Sequence, residues 1–389
     1  MNTEIDVIIL GGGCAGLSLA WRLCELGDCC PKTLVVEQRD VYQNDRTWCF
    51  WSDGDSRVLP LIKHHWQMLE LKSQNDSVHF DCGDRVYQML AGSDFYHHVD
   101  RIIQASTSVT LSMGTTVVAE PEQIHNGWLV QTSHGTYNAR MVVDTRPGGA
   151  PKVADAELWQ SFYGQELTSD VQIFDPARAV LMDFTPSTSH QIPFTYILPI
   201  SPYRALIEAT VFGPLPLRPA DLSAQFEAAT LKYLGANSAR VTRAESGVLP
   251  MGLNKSSPVL GRGHVKVGVM AGAARPSSGF AFQRIQRWAN RCSIAISQGL
   301  DPVPHAKDPV LIRMMDHLFL KVISSRPELA PELFLSIFKK ADGASVVRFL
   351  SGQGSPQDCL RIVAALPTRH FIRQLLRPAS LQRLSRSSL

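Results

Sequence analysis

The sequence predicts an α/β protein built on a parallel sheet, with a β-rich second part and a helical C-terminal region. Three observations carry this. Residues 5–37 read strand, glycine turn, helix, strand and acid in that order. A β-rich middle is followed, at residues 263–296, by a second strand, small-residue turn and helix. Beyond Lys307 the apolar residues recur only at helical spacing.

The first element, IDVIILGGGCAGLSLAWRLCELGDCCPKTLVVE, is the β-α-β unit of a Rossmann-type dinucleotide fold. Gly11 permits the tight turn, Gly13 lets a pyrophosphate approach the backbone, and Gly16 lets the helix pack closely on the sheet. The helix N-terminus offers free N–H groups and a positive dipole end to phosphates. Glu37 stands where an adenosine ribose would be bound, and its charge disfavours a 2′-phosphate.

Composition sets bounds on the rest. The 389 residues suffice for roughly two domains. A formal charge of +3 gives no argument for nucleic acid. The eight cysteines show neither metal-ligand nor CxxC spacing, so free thiols in a reducing compartment are expected. His64–His65 and His97–His98 are adjacent pairs whose side chains diverge, and no GxSxG elbow supports serine catalysis. The apolar N-terminal run is interrupted by glycines and Arg22, so neither a signal peptide nor a spanning helix is expected in it. A cytosolic or membrane-surface protein is expected.

Next in order, residues 63–82 read as a hairpin with a polar turn at 74–77, and residues 95–106 as a helix. A second hairpin turns at His134–Gly135, its return strand ending in Asp144. Strands are expected near 171–174, 178–184, 193–199 and 204–212, with a helix at 219–234. Helices follow near 308–324, 329–340, 343–350, 355–365 and 367–377. The expected division is a discontinuous nucleotide domain (1–60, 83–158 and 260–300), a β-rich substrate domain (61–82 and 159–259) and a helical region (301–389). This early β-α-β unit with a β-rich insert and a late return fits a flavoprotein better than a plain nicotinamide dehydrogenase. FAD needs a second backbone cradle for its ribityl and isoalloxazine, and residues 268–279 could supply it; an ordinary strand-to-helix turn is the other reading. The candidate cofactor set is Gly11, Gly13, Gly16, Glu37, Arg46, Asp144, Gly272 and Gly279.

Candidate chemistry centres on FTYILPISPYRALIEATVF (residues 194–212). In a strand over 204–212, Leu206, Glu208, Thr210 and Phe212 share one face and Ala205, Ile207, Ala209 and Val211 the other. Both faces are apolar apart from Glu208 and Thr210, which makes Glu208 a candidate buried general acid. An exposed Glu208, or one paired with Arg204, is the alternative. Asp183, in LMDF, is a second candidate carboxylate. Trp48, Phe50 and Trp51, in RTWCFW, suit a wall for an extended apolar substrate or a plug between domains. After Asp358 no acid occurs, and Arg369, Arg373 and Arg377 form one stripe with Ile372, Leu375 and Leu376 forming another. Such a helix either lies on an anionic membrane or packs on the core with a solvated basic face.

These residues together resemble the bacterial flavoprotein lycopene cyclases. The matching elements are the Gly11–Gly16 loop with Glu37, TWCFW, LMDF, YILPISPYRALIEAT, VLPMG, AGAARPSSGFAF, LFLKVI and VVRFLSG, in the family's order and nearly end to end. Flavin hydroxylases carry Gly-Asp in the late glycine segment, where this chain has Ala271-Gly272 and then Pro276-Ser277-Ser278-Gly279. The resemblance implies a glutathione-reductase-like or flavin-hydroxylase-like FAD domain and a carotenoid substrate, lycopene or a related acyclic polyene. It implies catalysis by the carboxyl at Glu208, with a less settled role at Asp183. It further implies β-ring formation with reduced FAD and no net redox change, NAD(P)H serving at most to reduce the flavin. The expected location is the cytoplasm, peripherally on the inner face of the cytoplasmic membrane. Two expectations compete with it: a redox flavoprotein, an aromatic hydroxylase or isoprenoid reductase consuming NAD(P)H, and a non-catalytic carotenoid carrier at the membrane.

Overall fold

The computed structural model describes residues 3–149, 152, 155–186, 188, 190–253 and 259–376. Arg377, Arg383 and Arg386 lie outside the described residues.

The chain opens with β1 (Thr3–Leu10), α1 (Cys14–Cys24) and β2 (Thr33–Val36). Then come β3 (Thr47–Trp51), β4 (His64–Trp66), β5 (Met68–Lys72), β6 (Ser77–Asp81), β7 (Tyr87–Ala91) and α2 (Gly92–Gln104). The next strands are β8 (Val109–Ser112), β9 (Glu122–Ile124), β10 (Gly127–Thr132) and β11 (Gly135–Asp144). The middle contains β12 (Ala156–Ser169), β13 (Arg178–Phe184), β14 (Ile192–Ser201), β15 (Arg204–Gly213), α3 (Ser223–Leu234) and β16 (Ala239–Leu253). After β17 (His264–Lys266) the described chain is helical: α4 (Phe282–Ser297), α5 (Val310–Ser325), α6 (Ala330–Lys340), α7 (Gly343–Leu350), α8 (Pro356–Ala365) and α9 (Thr368–Leu375).

Among the described residues the strands form three sheets. The first has the order β8-β2-β1-β11-β10-β9, with β17 returning to pair in parallel with β11. Its parallel strands are buried on both faces, which is why Val7–Leu10 and Thr33–Val36 read as continuous apolar runs rather than alternating ones. Helix α1 covers this sheet beside α4, and a polar seam joins the two helices. Gln286 Nε2 donates to Ser18 Oγ (2.8 Å), while the buried Arg22 Nη2 donates to Gln286 Oε1 (3.2 Å) and faces Asp55 (3.5 Å). The charge that interrupts the apolar run is therefore accommodated between helices.

The second sheet runs β16-β12-β15-β14-β13-β5-β6, and a small sheet, β3-β7-β4, lies apart from both. One face of the second sheet packs on α3 through Ile207, Ala209, Phe226 and Ala229. Its other face, with Leu206 and Phe212, shares a core with α5, α6 and α7. The hairpin expected at 63–82 forms as β5 and β6, with β4 diverted to the small sheet.

Two expectations about the middle are corrected. Residues 171–174 are not a strand: the N–H groups of Ile173 and Phe174 both donate to Pro202 O, and Asp175-Pro176 ends the segment. The long strands β12 and β16 were missed. β12 carries Gln160, Gln165, Glu166 and Gly164, letters unfavourable to a strand, yet it is an interior strand that ladders with β15 on one side and β16 on the other. Tertiary pairing overrides propensity there.

Candidate active site

The glycine loop has the geometry its sequence demands. Gly11 adopts φ +100° and donates its N–H to Val36 O (2.8 Å), and a Cβ on Gly16 would overlap Gly11 O. Helix α1 thus sits directly on the turn. Gly13 is its N-cap and makes no side-chain cap bond, and nothing lies within 4 Å of where a Cβ would project. The backbone at Gly13 is thus open to close approach beside the N-terminus of α1, a cradle that fits a pyrophosphate.

Glu37 is placed differently from expectation. Its Oε2 accepts Gly12 N–H (2.6 Å) and Arg39 Nη2 (3.2 Å), and its Oε1 accepts Arg39 N (2.9 Å) and Nε (2.9 Å). All four lone-pair positions of the carboxylate are taken, so a ribose reaches it only by displacing the Arg39 guanidinium. Burial by itself would raise this carboxyl, but the bonds from Arg39 and Gly12 outweigh it and hold Glu37 below the ordinary range. Arg39 lies over the rings of Tyr42 and Tyr96, 4.9 and 5.1 Å from their centroids. Nothing in the spacing of the motif signals this clamp.

Arg46 and Asp144 are likewise engaged by protein. Arg46 is exposed, and its Nη1 donates to Asp45 O (2.7 Å) and Ser246 O (3.0 Å), linking β3 to β16 rather than pointing at the loop. Asp144 is buried at the end of β11 and holds Arg146 through its backbone N–H, Nε and Nη2 at 2.9–3.1 Å. The adjacent Thr145 Oγ1 bonds the carbonyls of Leu10 and Gly11. Asp144 is thus engaged by Arg146, while Thr145 ties the end of β11 to the loop.

The late glycine segment makes a second cradle. Gly272 adopts φ +90° and faces open space. At Gly279 a Cβ would stand 2.7 Å from Gln160 Oε1. Gln160 Oε1 and Ser278 Oγ are buried without hydrogen-bond partners, and both residues line the cavity described next. Orphaned polar atoms beside an open backbone turn are the feature expected where a polar ring system is to be held. Below them Asp316 accepts from Arg275 (3.1 and 3.3 Å) and from Ser277 Oγ (2.7 Å), fixing the segment to α5.

From this cradle a cavity of about 390 Å³ extends between the second sheet and the C-terminal helices. Its lining is overwhelmingly apolar. Cys14 and Phe282 stand at the nucleotide end, Phe194 and Phe212 at the sheet, and Phe334 and Phe371 at the helices. Glu208 opens onto it. Residue alternation on β15 puts Glu208, Thr210 and Phe212 on the cavity wall and Ile207 and Ala209 against α3. Glu208 is 7 % exposed and takes no hydrogen bond among the described residues, while Arg204 pairs instead with Glu166 (3.5 Å). Burial first, then the charge of Glu245, push the Glu208 carboxyl well above the ordinary range, with Arg243 acting against them.

Asp183 does not join it. It pairs in register with Thr195, on the α3 face of the sheet, and its Oδ2 accepts Lys232 Nζ (2.6 Å) and Tyr233 OH (2.6 Å). The expected second catalytic carboxylate is a satisfied ion-pair member behind the sheet. Of the aromatic trio, Trp48 lines the cavity. Phe50 stacks on Phe282 (4.5 Å, 12°) and Trp51 packs on Tyr87 and Phe280 (4.9 and 4.8 Å), both buried behind the wall. Sequence reasoning missed Glu245, Arg243 and Gly164, which surround Glu208; the acid in ESGVLPMG was the available signal.

A family profile described as lycopene cyclase protein matches residues 6–376. The chain belongs to the lycopene cyclase family. Among relatives of this family, the lycopene beta-cyclase of Pantoea ananas is 25% identical over 305 residues, covering 75% of each chain. The lycopene beta-cyclase of a Paracoccus species is 28% identical over 382 residues, covering 93% of this chain and 94% of that one. Solved structures place the cyclase fold among Rossmann-type flavoproteins. A geranylgeranyl bacteriochlorophyll reductase-like protein of Thermoplasma acidophilum superposes with a TM-score of 0.63 at 13% identity, over 96% of this chain and 99% of that one. The p-nitrophenol 4-monooxygenase of Pseudomonas putida does so at 0.60 and 14%, over 97% and 98%.

Proposed function

We propose that this cyclase closes the ψ ends of lycopene into β rings by acid–base chemistry at Glu208, with reduced FAD bound and no net oxidation. The observation that carries the reading is a buried, unpartnered carboxyl on the wall of a greasy cavity that begins at the nucleotide cradle. The open turns at Gly13 and Gly272 and the orphaned Gln160 and Ser278 fit FAD as the cofactor. Bound reduced FAD would supply negative charge to a cationic substrate.

The protein's own part follows from the cavity. Glu208, kept neutral by burial, donates its proton to C2 of the terminal alkene and leaves a tertiary cation at C1. The C5–C6 double bond attacks C1, closing the ring and moving the charge to C5. The carboxylate left on Glu208 is then the base in the same cavity, and the proton lost from C6 restores its acid form. Atoms balance without an oxidant. Aromatic faces, Phe162, Phe194, Tyr196 and Trp48 among them, line the path of the charge, and the apolar wall excludes water that would quench it.

The exposed apolar residues near the cavity bear on the expected membrane partner. Val363 both lines the cavity and is exposed, and beside it Leu360, Ile372, Leu375 and Leu376 are 55–78% exposed, with Val310, Leu311 and Met314 exposed on α5. The apolar stripe of α9 is thus not packed on the core. With Arg369 and Arg373 exposed on the same helix, this patch fits an anionic bilayer surface, each arginine adding about 1 kcal/mol there. Among the described residues no helix is long and apolar enough to cross a membrane.

Production in lycopene-accumulating cells, with chromatography of the pigments, tests the reading. Cyclic carotenes are expected from the wild type, and acyclic lycopene from Glu208→Gln protein that still holds flavin. Unchanged lycopene beside flavin-loaded wild type, or NAD(P)H consumed in proportion to product, would overturn it in favour of a redox flavoprotein.

A further inference from the structure

Glu208 is not alone in its row of the sheet. Gly164 of β12 pairs with Glu208 of β15 on one side and with Glu245 of β16 on the other. Both glutamates line the cavity and both are buried. The residue between them has no side chain, and a Cβ there would overlap Glu208 Cγ. The Glu208 side chain therefore lies over the glycine, toward the strand of Glu245. Two strand spacings separate the outer backbones by about 10 Å, a span that two glutamate side chains leaning inward shorten considerably.

Glu245 sits in an ion pair with Arg243. Its Oε2 accepts Thr47 Oγ1 (2.7 Å) and Arg243 Nη1. Arg243 is divided between two carboxylates, its Nε donating to Glu166 Oε2 (2.9 Å) and its Nη2 lying 2.6 Å from Thr47 Oγ1. One guanidinium shared by two anions leaves Glu245 only partly neutralised. Among the described residues, the other titratable groups facing Glu208 are Cys49, Tyr87 and Tyr196, from three other strands. Burial, the largest cause for each, pushes all three upward, so they carry no charge near neutrality.

We propose that Glu245, fixed by Arg243 and Thr47 across the gap left by Gly164, is a positioning residue that keeps the reacting proton on Glu208. The inference rests on the cyclase reading of this cavity and deepens it. A neighbouring fixed negative charge holds Glu208 in its acid form before substrate arrives. Once the proton has moved to the alkene, the same charge repels the new carboxylate and drives it to recover the proton from C6. The proton donor and its reset thus share one electrostatic cause.

The test is an infrared titration of the protonated-carboxyl C=O band, assigned by its loss in Glu208→Gln, alongside the pH profile of ring formation. Glu245→Gln should lower the midpoint of that band by about one pH unit. The falling limb of the activity profile should move down equally. Glu245→Asp, which keeps the charge, should move both far less. Arg243→Gln, which removes the counter-charge, should raise the midpoint, so an opposite shift is available if the first variant folds poorly. An unchanged midpoint in Glu245→Gln, or a shift of the same sign in both variants, overturns the proposal. The band reports on Glu208 without turnover. A wild type that titrates as expected but forms no rings would therefore sink the cyclase reading and leave the pairing of Glu208 with Glu245 standing.

Discussion

Gly164→Ala is the substitution that most directly probes how Glu208 is presented. The added methyl would overlap Glu208 Cγ and stand 3.0 Å from Ile207 O and 3.3 Å from Glu208 Cα. Two of those three atoms belong to backbone of a central strand laddered on both sides, so the side chain must yield. Overpacking of this kind costs about 1–3 kcal/mol of stability, and ring formation should fall far more, because the displaced carboxyl loses its approach to the substrate. General-acid contributions of about 10²- to 10⁴-fold set the scale of that loss. Pigment chromatography from lycopene-accumulating cells, with thermal melting and flavin content of the purified protein, separates the two effects. The expected result is folded, flavin-loaded protein with at least a tenfold loss of cyclic product. Wild-type yields from Gly164→Ala would refute the idea that the glycine exists to seat Glu208.

Other expectations concern stability. Because the folded state raises the Glu208 carboxyl above its unfolded value, its contribution is fully present at acid pH and is lost as pH rises through the folded value. Glu208→Gln should therefore gain on the wild type in urea unfolding as pH is raised, and a constant difference from pH 5 to pH 9 would contradict this. Asp316→Asn should cost about 3–5 kcal/mol in the same assay, because it leaves Arg275, 1% exposed, as an uncompensated buried charge. Replacing both partners with apolar residues should recover much of that loss. His305, pushed down to about 3 by burial and then by Arg284 and Arg291, accepts Gly268 N–H at its Nε2 (3.0 Å) and must be neutral in the fold. The wild type should lose stability between about pH 6.5 and 3 as unfolded chains bind the proton, and His305→Gln should flatten that slope.

The β-α-β unit and the C-terminal helices were legible because each writes its burial into a local period. The continuous apolar runs of β1 and β2 and the regular stripes of α5 and α6 depend on near neighbours in the chain. Glu208 was legible for the same reason, since alternation along β15 alone puts it on a covered face. What could not be read was which residues meet across strands. Glu245 lies 37 residues past Glu208, and the two come into one row only through the register of β12 between them. Asp183 read in sequence as a second, weaker candidate beside Glu208, but a register shift in β13 and the reach of Lys232 and Tyr233 from α3 put it on the opposite side. Glu37 and Asp144 misled for another reason: an arginine two residues on, Arg39 or Arg146, turns back to occupy each carboxylate.

The order in which the strands enter their sheets has a consequence for biosynthesis. The nucleotide sheet receives β17 only after the whole second sheet has been translated, and the second sheet takes β5 and β6 from the segment emerging before β7. Neither sheet closes while the ribosome is still far from residue 266. Such distant pairings make a nascent chain slow to consolidate and leave strand edges open meanwhile. Premature termination ahead of β17 should therefore yield an aggregation-prone fragment, not a smaller nucleotide-binding protein.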